Sequence, residues 1–389
     1  MKLFVLPAVV GSAAALLLLG TTTTAVAQPS STGATHRAAH TCAAPATGFA
    51  ACDALVVVDA AGKPVSAATP SGLAPSDIRS AYGLTSASSG GRTVAIVDAY
   101  DDPTAEADLG VYRSQYGLPA CTTANGCFRK VNQTGGTKAP RADAGWATEI
   151  SLDLDMVSAA CPDCKILLVE ASTAAFSNLG TAVNYAATQG VAAISNSYGG
   201  SDSSQLSAYD HPGIAITAST GDNGYGIESP ASFGTVVAVG GTSLTKAGNT
   251  RGWTESAWSG AGSGCSTLNA KPSWQTSATQ CSGKANADVS AVADPNTGVA
   301  VYDSTPYQGR SGWQVYGGTS ASSPIIGSVY ALSGNTSGYP ASWTWGHSTG
   351  LNDVTSGSNG TCPTTVWCTS GTGWDGPTGL GTPNGTSAF

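Results

Sequence analysis

The chain reads as an α/β protein with a mainly parallel central sheet covered by helices on both faces. Three observations lead there. Its 389 residues are 41% hydrophobic, enough to bury a sizeable core. Apolar strand-like runs recur along it, continuous rather than alternating. Helix-like segments separate those runs, as expected of crossovers between parallel strands.

Residues 76–82 read as a short helix entering the main domain. Residues 93–97, Thr-Val-Ala-Ile-Val, are a buried strand. A helix follows Pro103, and a long one spans 144–160. A strand at 165–169 and a helix at 179–188 come next. Strands at 191–195, 214–217 and 236–239 lead to a helix at 320–332. The carboxyl ends of such strands are where a site is expected. No fixed-period repeat or long linker interrupts residues 69–389, which read as one domain of catalytic size. Residues 28–68 are a short pro-segment or N-terminal arm with an apolar patch, Leu55-Val56-Val57-Val58.

Composition narrows the function. Charged residues are only 10%, with 16 Lys+Arg against 24 Asp+Glu and a formal net charge of −8. No basic patch can dominate, so no nucleic-acid partner is expected. Gly (50) and Pro (20) imply many turns, and there are only four histidines. Met1-Lys2, the apolar run from Phe4 to Leu19 and Ala25-Val26-Ala27 form a secretory signal peptide, residues 1–27. The protein is therefore expected to be secreted and extracellular. No later stretch has 18 uninterrupted apolar residues, so no membrane association is expected after cleavage. Ten cysteines fall into local couples: Cys42/Cys52, Cys121/Cys127, Cys161/Cys164, Cys265/Cys281 and Cys362/Cys368. Neighbour pairing is the simplest connectivity of an exported chain. Cys161-Pro-Asp-Cys164 could also serve redox chemistry or zinc, but no second CxxC or paired histidines accompany it.

Two carboxylates stand out on the 144–160 helix. At ~100° per residue, Thr148, Ser151, Asp155 and Ser158 gather on one side, read as the solvated face. Trp146, Met156, Val157 and Ala160 gather opposite. Glu149 and Asp153, four residues apart, sit within the apolar side. Burial and mutual repulsion raise carboxyl pKa values, and such an arrangement suits chemistry. The bland alternative is a loop cap or a pair with an unseen Arg.

A serine opens the last helix. Gly317-Gly318-Thr319-Ser320 lets substrate approach closely, and a helix N-terminus offers N–H groups to a developing oxyanion. An ordinary N-cap is the alternative. A nucleophilic serine needs a base, usually histidine. His36 and His40 lie in the expected pro-region, His211 precedes a proline, and His347 lies in a polar loop. The base is more plausibly a carboxylate.

Together these residues resemble the sedolisin family of serine-carboxyl peptidases. Glu149-Ile150-Ser151-Leu152-Asp153 is similar to the family's Glu-x-x-x-Asp helix. Gly318 to Pro324 matches its Gly-Thr-Ser-x-x-x-Pro, and Gly221-Asp222-Asn223-Gly224 its Gly-Asp-x-Gly turn. Ser229-Pro230-Ala231 and Ala238-Val239-Gly240-Gly241-Thr242 also resemble family sequence. The resemblance implies a subtilisin-like three-layer fold and a secreted, acid-acting endopeptidase. It implies Ser320 as nucleophile, Glu149 as base, Asp153 as its support and Asp222 as the oxyanion-hole acid. Protein or peptide substrates and a monomeric enzyme are expected. Asp98, ending the first strand of the domain, would be a partner behind the catalytic carboxyls or a loop cap. Tyr198 stands where several relatives carry Trp, in a loop expected to line the cleft. The resemblance also implies one structural Ca²⁺, held by Asp353 and Asp375 and by carbonyls of Val354, Gly371 and Gly373; two turn-forming Asp residues are the alternative. A rival reading, a non-catalytic secreted binding protein on a peptidase fold, predicts loss of one of the four catalytic candidates, and all are present.

Overall fold

The computed structural model describes residues 1–4 and 37–389. The expected cleavage site at residue 27 lies outside them. The chain divides into two units, residues 1–34 and 35–389, and the second holds every described strand and helix.

Its N-terminal stretch carries β1 (Arg37–His40), β2 (Ala51–Cys52) and β3 (Leu55–Val58), then α1 (Pro75–Ala81). The body continues with β4 (Thr93–Ala99), α2 (Ala105–Gln115), β5 (Phe128–Asn132) and α3 (Ala144–Ala160). Next come β6 (Lys165–Ala171), α4 (Phe176–Ala187), β7 (Ala193–Asn196), β8 (Tyr198–Ser201), β9 (Ala215–Ser219) and β10 (Glu228–Ser229). After these stand β11 (Val237–Lys246), β12 (Trp253–Ala257), β13 (Gly264–Ala270), β14 (Gly283–Asn286) and β15 (Val289–Val292). A hairpin of β16 (Val299–Tyr307) and β17 (Arg310–Gly317) leads into α5 (Thr319–Ser333).

The main sheet runs β12-β11-β9-β7-β4-β6-β5, with β15 also on β11. Every pair in it is parallel except β11 with the edge strand β12. The pleat splits its side chains between two cores. Val94, Ile96, Ile166 and Leu168 pack with residues of α3 and α5. Ala95, Val97, Leu167 and Val169 pack with Leu179, Ala182 and Val183 of α4. The result is the expected three layers. Strict alternation along β4 then turns Asp98 to the α3 side.

α3 matches its expected limits. Asp143 Oδ1 caps it by accepting from Gly145 N (3.1 Å) and Trp146 N (3.2 Å). One expectation fails here. Residues 145–160 are all buried, so the stripe of Thr148, Ser151, Asp155 and Ser158 is not solvated. The α2 helix and the β16–β17 hairpin cover it. Thr148 Oγ1 donates to Asp303 Oδ2 (2.9 Å), Tyr302 N to Asp155 Oδ2 (3.0 Å), and Arg113 Nη1 to Ser158 Oγ (2.8 Å). A polar stripe pairs as well with a polar partner element as with water, and a helical wheel does not distinguish the two.

The N-terminal strands are built into the body. β1 and β3 pair with each other, and β3 pairs with β17, giving the order β1-β3-β17-β16. β2 pairs with β8, which pairs with β10. All five cysteine couples are disulfides, with Cα–Cα separations from 4.8 to 6.1 Å, and no described cysteine is free. Among the described residues no helix is long and apolar enough to cross a membrane.

Candidate active site

Four elements bring the candidates together. α3 supplies Glu149 and Asp153, the turn after β9 supplies Asp222, the start of α5 supplies Ser320, and β4 supplies Asp98. All five are buried. Ser320 Oγ lies 2.8 Å from Glu149 Oε2 and donates to it; the Ser197 carbonyl, at 3.2 Å, is the other acceptor in reach. Glu149 thus occupies the position at which a general base contacts the serine hydroxyl. The described histidines include no hydrogen-bond partner of that hydroxyl.

Asp153 is held from another direction. Ser197 Oγ lies 2.7 Å from its Oδ1 and 2.9 Å from its Oδ2. Burial raises the pKa of Glu149 well above the usual carboxyl range, and the charges of Asp153 and Asp98 raise it further. Asp153 is raised by burial and then by Asp98. Asp98 itself is pushed up to about 8 by burial, and neither of its oxygens has a hydrogen-bond partner. It is therefore neither the partner nor the loop cap expected; it acts on its neighbours through its field.

Asp222 faces the helix start. Its Oδ1 accepts from Thr319 N (2.7 Å) and Thr319 Oγ1 (2.9 Å), while Oδ2 is buried without a partner. Burial raises its pKa well above the usual range, and Asp53 adds to the shift. Gly318, at φ 94°, sits beside this oxygen; a Cβ there would lie 2.5 Å from Asp222 Oδ2 and collide with the Asp53 carbonyl. Only glycine suits that position, for both the backbone and the space.

Asp53 went unnoticed in sequence. It lies in an Ala- and Thr-rich stretch with no motif around it, and only the Cys42–Cys52 couple hinted that the stretch is ordered. Its carbonyl oxygen accepts from Ser320 N (3.4 Å). Its N–H donates to the Ser197 carbonyl (3.3 Å), and its Oδ2 accepts from Ser219 Oγ (2.6 Å). Burial pushes its carboxyl up to about 7. Glu228 stands close by, raised to about 8 by burial and by Asp53. Ser197 and Thr319 were also missed as site residues, although Thr319 falls inside a motif that the sequence singled out and Ser197 precedes Tyr198 in the loop expected to line the cleft. Tyr198 lines the cleft through its backbone; its side chain is buried, with its hydroxyl donating to Asn196 Oδ1 (2.8 Å).

Of the residues expected at a metal, Asp353 meets Gly373 and Asp375 meets Gly371. Gly373 N donates to Asp353 Oδ2 (2.9 Å), and Gly371 N lies 3.2 Å from Asp375 Oδ2. Asp375 is buried and raised to about 6, and its Oδ1 accepts from Ser370 Oγ and from Thr378. Both carboxylates thus converge on one five-residue turn, and no lysine or arginine forms an ion pair with either among the described residues. Hard oxygens without a counter-charge suit Ca²⁺. Among the described residues there is no group of three or more His, Cys, Asp or Glu side chains that could hold a metal, so any ion here would depend on backbone oxygens.

A serine on a helix start above a parallel sheet is a setting that serine hydrolases use, and residues 138–354 match the Subtilase family. Kumamolisin of Bacillus sp. (strain MN-32) is 28% identical over 371 residues, 82% of this chain and 63% of that protein. Sedolisin of Pseudomonas sp. (strain 101) is 28% identical over 373 residues, 82% of this chain and 61% of that protein. The solved structure of Pseudomonas sedolisin, a serine-carboxyl proteinase complexed with two molecules of pseudo-iodotyrostatin, overlays with a TM-score of 0.67. The overlay has 25% identity and covers 81% of this chain and 96% of that one. The chain belongs to the subtilase family, in its sedolisin branch, and the subtilisin-like fold expected from sequence is the one found. It spans about three-fifths of the length of the two curated relatives.

Proposed function

We propose that this protein is a secreted, acid-acting serine-carboxyl endopeptidase that hydrolyses peptide bonds through an acyl-enzyme. The observation that carries the reading is the 2.8 Å hydrogen bond from Ser320 Oγ to Glu149 Oε2. Ser320 attacks the scissile carbonyl, Glu149 takes its proton and returns it to the leaving amine, and water then releases the acyl group. Asp153 supports Glu149 through its charge, held in place by Ser197. Ser320 N–H and a protonated Asp222 Oδ2 donate to the oxyanion. An ionised Asp222 would repel that oxyanion, so Asp222 must keep its proton while Glu149 loses its own. With ordinary carboxyl pKa values the two states would overlap only at acid pH; burial raises both groups and moves that window upward, while coupling within the cluster lets Asp222 hold a proton that Glu149 has given up.

Asp353 and Asp375, with carbonyls of Val354, Gly371 and Gly373, would hold one Ca²⁺ that braces the C-terminal loop and takes no part in the chemistry. The substrates are proteins or peptides.

The test is hydrolysis of denatured protein across acid to neutral pH by the wild type and by Ser320→Ala. The expected result is an acid optimum that vanishes in the variant. A bell-shaped profile centred near neutrality overturns the acid mechanism. Equal hydrolysis by both overturns Ser320 as the nucleophile, and no hydrolysis by either overturns the peptidase reading and favours a binding protein on a peptidase fold.

A further inference from the structure

We propose that the contact of α3 with the β16–β17 hairpin and α2 is a proton latch. With its carboxyls protonated, it docks the hairpin that runs into Ser320 against the helix that carries Glu149. When they ionise together the hairpin loosens, and Ser320 leaves Glu149 while the rest of the fold stands. The docking does not depend on what the protein does; its effect on catalysis rests on the peptidase reading above.

Four aspartates meet at this contact: Asp102 from the turn before α2, Asp108 from α2, Asp155 from α3 and Asp303 from β16. All are buried. None of them forms an ion pair among the described residues. Their donors are neutral amides and hydroxyls. Tyr302 N donates to Asp155 Oδ2 (3.0 Å), Ser304 N to Asp108 Oδ2 (2.9 Å) and Thr305 N to Asp303 Oδ1 (2.7 Å). Carboxyls of α2 and α3 thus hold the backbone of β16, and the carboxyl of β16 reaches back to Thr148 on α3.

The geometry favours the acid form. Thr148 Oγ1 lies 3.0 Å from the Ala144 carbonyl and 2.9 Å from Asp303 Oδ2, with one proton to give. A protonated Asp303 donates to Thr148, Thr148 donates to Ala144, and both contacts are made. Thr104 Oγ1 stands between Asp102 Oδ1 (3.0 Å) and Asp108 Oδ2 (2.7 Å), so these two carboxyls repel across one hydroxyl when both are charged. Burial acts in the same direction. It raises Asp102 to about 6, Asp303 to about 7 and Asp155 well above the usual range, and in each case the charge of another aspartate of the set adds to the rise.

Two cations face the set. Arg113 of α2 donates to Ser158 Oγ and to the carbonyls of Pro119 and Pro162. Lys130 of β5 is engaged with Asp101, with the Asp102 carbonyl and with Glu170 of β6. The other groups around the contact can only add negative charge: Tyr112 and Tyr116 of α2, Tyr307 and Tyr316 of the hairpin and Asp77 of α1. Across α3 lie Glu149, Asp153 and Asp98 of β4. Ionising the set therefore leaves buried charge without compensation. Released into water, an aspartate titrates at about 3.9. From there up to its raised values the docked state holds more protons than the loosened one, so docking weakens as pH climbs through that window. A local opening of this kind costs less than unfolding the whole domain.

Trp313 of β17 reports the docking. It is buried, with the rings of Tyr112, Tyr116 and Tyr302 centred 5.9, 5.8 and 5.2 Å away. Loosening the hairpin brings it into water and moves its emission to longer wavelength. The experiment follows that emission in Ser320→Ala, with Ser320→Ala/Trp313→Phe subtracted, from about pH 4 to about pH 9, alongside far-UV circular dichroism. The expected result is a reversible red shift with the dichroism retained. Asp303→Asn should raise its midpoint by about half a pH unit or more, because the amide does not ionise and its N–H donates to Thr148 as the acid does. Asp155→Asn should move it the same way, and serves alone if Asp303→Asn does not fold. In Asp222→Asn, whose oxyanion donor does not titrate, hydrolysis of denatured protein should fade at the emission midpoint. No red shift, a red shift only with loss of dichroism, or an unmoved midpoint in the aspartate variants overturns the latch. Hydrolysis by Asp222→Asn that persists above the midpoint overturns its hold on Ser320. A wild type that shows the red shift but hydrolyses nothing at any pH overturns the peptidase reading alone.

Discussion

Asp222 gives one oxygen to Thr319 and keeps the other for the site. Oδ1 accepts the Thr319 amide and hydroxyl at 2.7 and 2.9 Å, while Oδ2 is buried and unpartnered beside Gly318. The hydrogen bonds to Thr319 fix the carboxyl plane, so the free oxygen points where an oxyanion would form. Replacing Asp222 by Ala is expected to lower kcat by about 10²–10³-fold, the usual loss for one such donor. Asp222→Asn keeps a donor that does not titrate, so the loss should be smaller and the alkaline limb of kcat/KM should move to higher pH. A pH–rate profile of both variants checks this; an unchanged alkaline limb in Asp222→Asn argues against the role.

Asp98 offers a second test. Its charge raises the pKa of both Glu149 and Asp153. Pushed up to about 8, Asp98 is uncharged over the acid range, so Asp98→Asn, which keeps the shape, should leave the acid limb of kcat/KM in place. A limb that moves to lower pH would show that Asp98 is ionised there and that burial does not hold its proton.

Stability should fall as pH rises. Burial lifts Asp98, Glu170 and Glu228 to about 8, and Asp53 and Asp303 to about 7. In the unfolded chain these groups titrate at about 4. From there up to the folded values, the native state holds more protons than the unfolded one. The free energy of unfolding therefore decreases with pH across that window. Thermal unfolding of Ser320→Ala, chosen to avoid self-digestion, should show a higher Tm at about pH 4 than at about pH 7. A Tm that climbs over the same range is incompatible with these buried, protonated carboxyls.

The turn bearing Asp353 and Asp375 predicts a metal effect. Calcium that binds only the folded state raises Tm in proportion to the logarithm of its concentration once binding saturates. Calcium is expected to raise the Tm of wild type relative to excess chelator, and Asp353→Asn should abolish most of the difference. Equal Tm values in calcium and chelator would leave the turn as a hydrogen-bonded loop and nothing more.

Much of the site is legible in the residues alone. The 144–160 helix keeps the limits that its pattern predicts, and the contact between Glu149 and Ser320 joins two motifs found independently. The cysteine couples also pair as their spacing suggests, because a loop of a few residues can bring its ends together easily. The polar stripe of α3 reads wrongly as solvated, since its partners come from α2 and β16, which lie far away in sequence.

Local chemistry is therefore written in the order of residues: which elements form and which side chains share a helix face. Each depends on residues a few positions apart. Folding in three dimensions was needed to turn Asp98 toward α3, to leave one oxygen of Asp222 free, and above all to lay Asp53 against Ser320 N. Such contacts join distant segments of this chain, 267 residues apart in the case of Tyr307 and His40, and are closed in part by strand pairing. A backbone hydrogen bond reads no side chain, so nothing in the residues around Asp53 could announce where its carbonyl would be held.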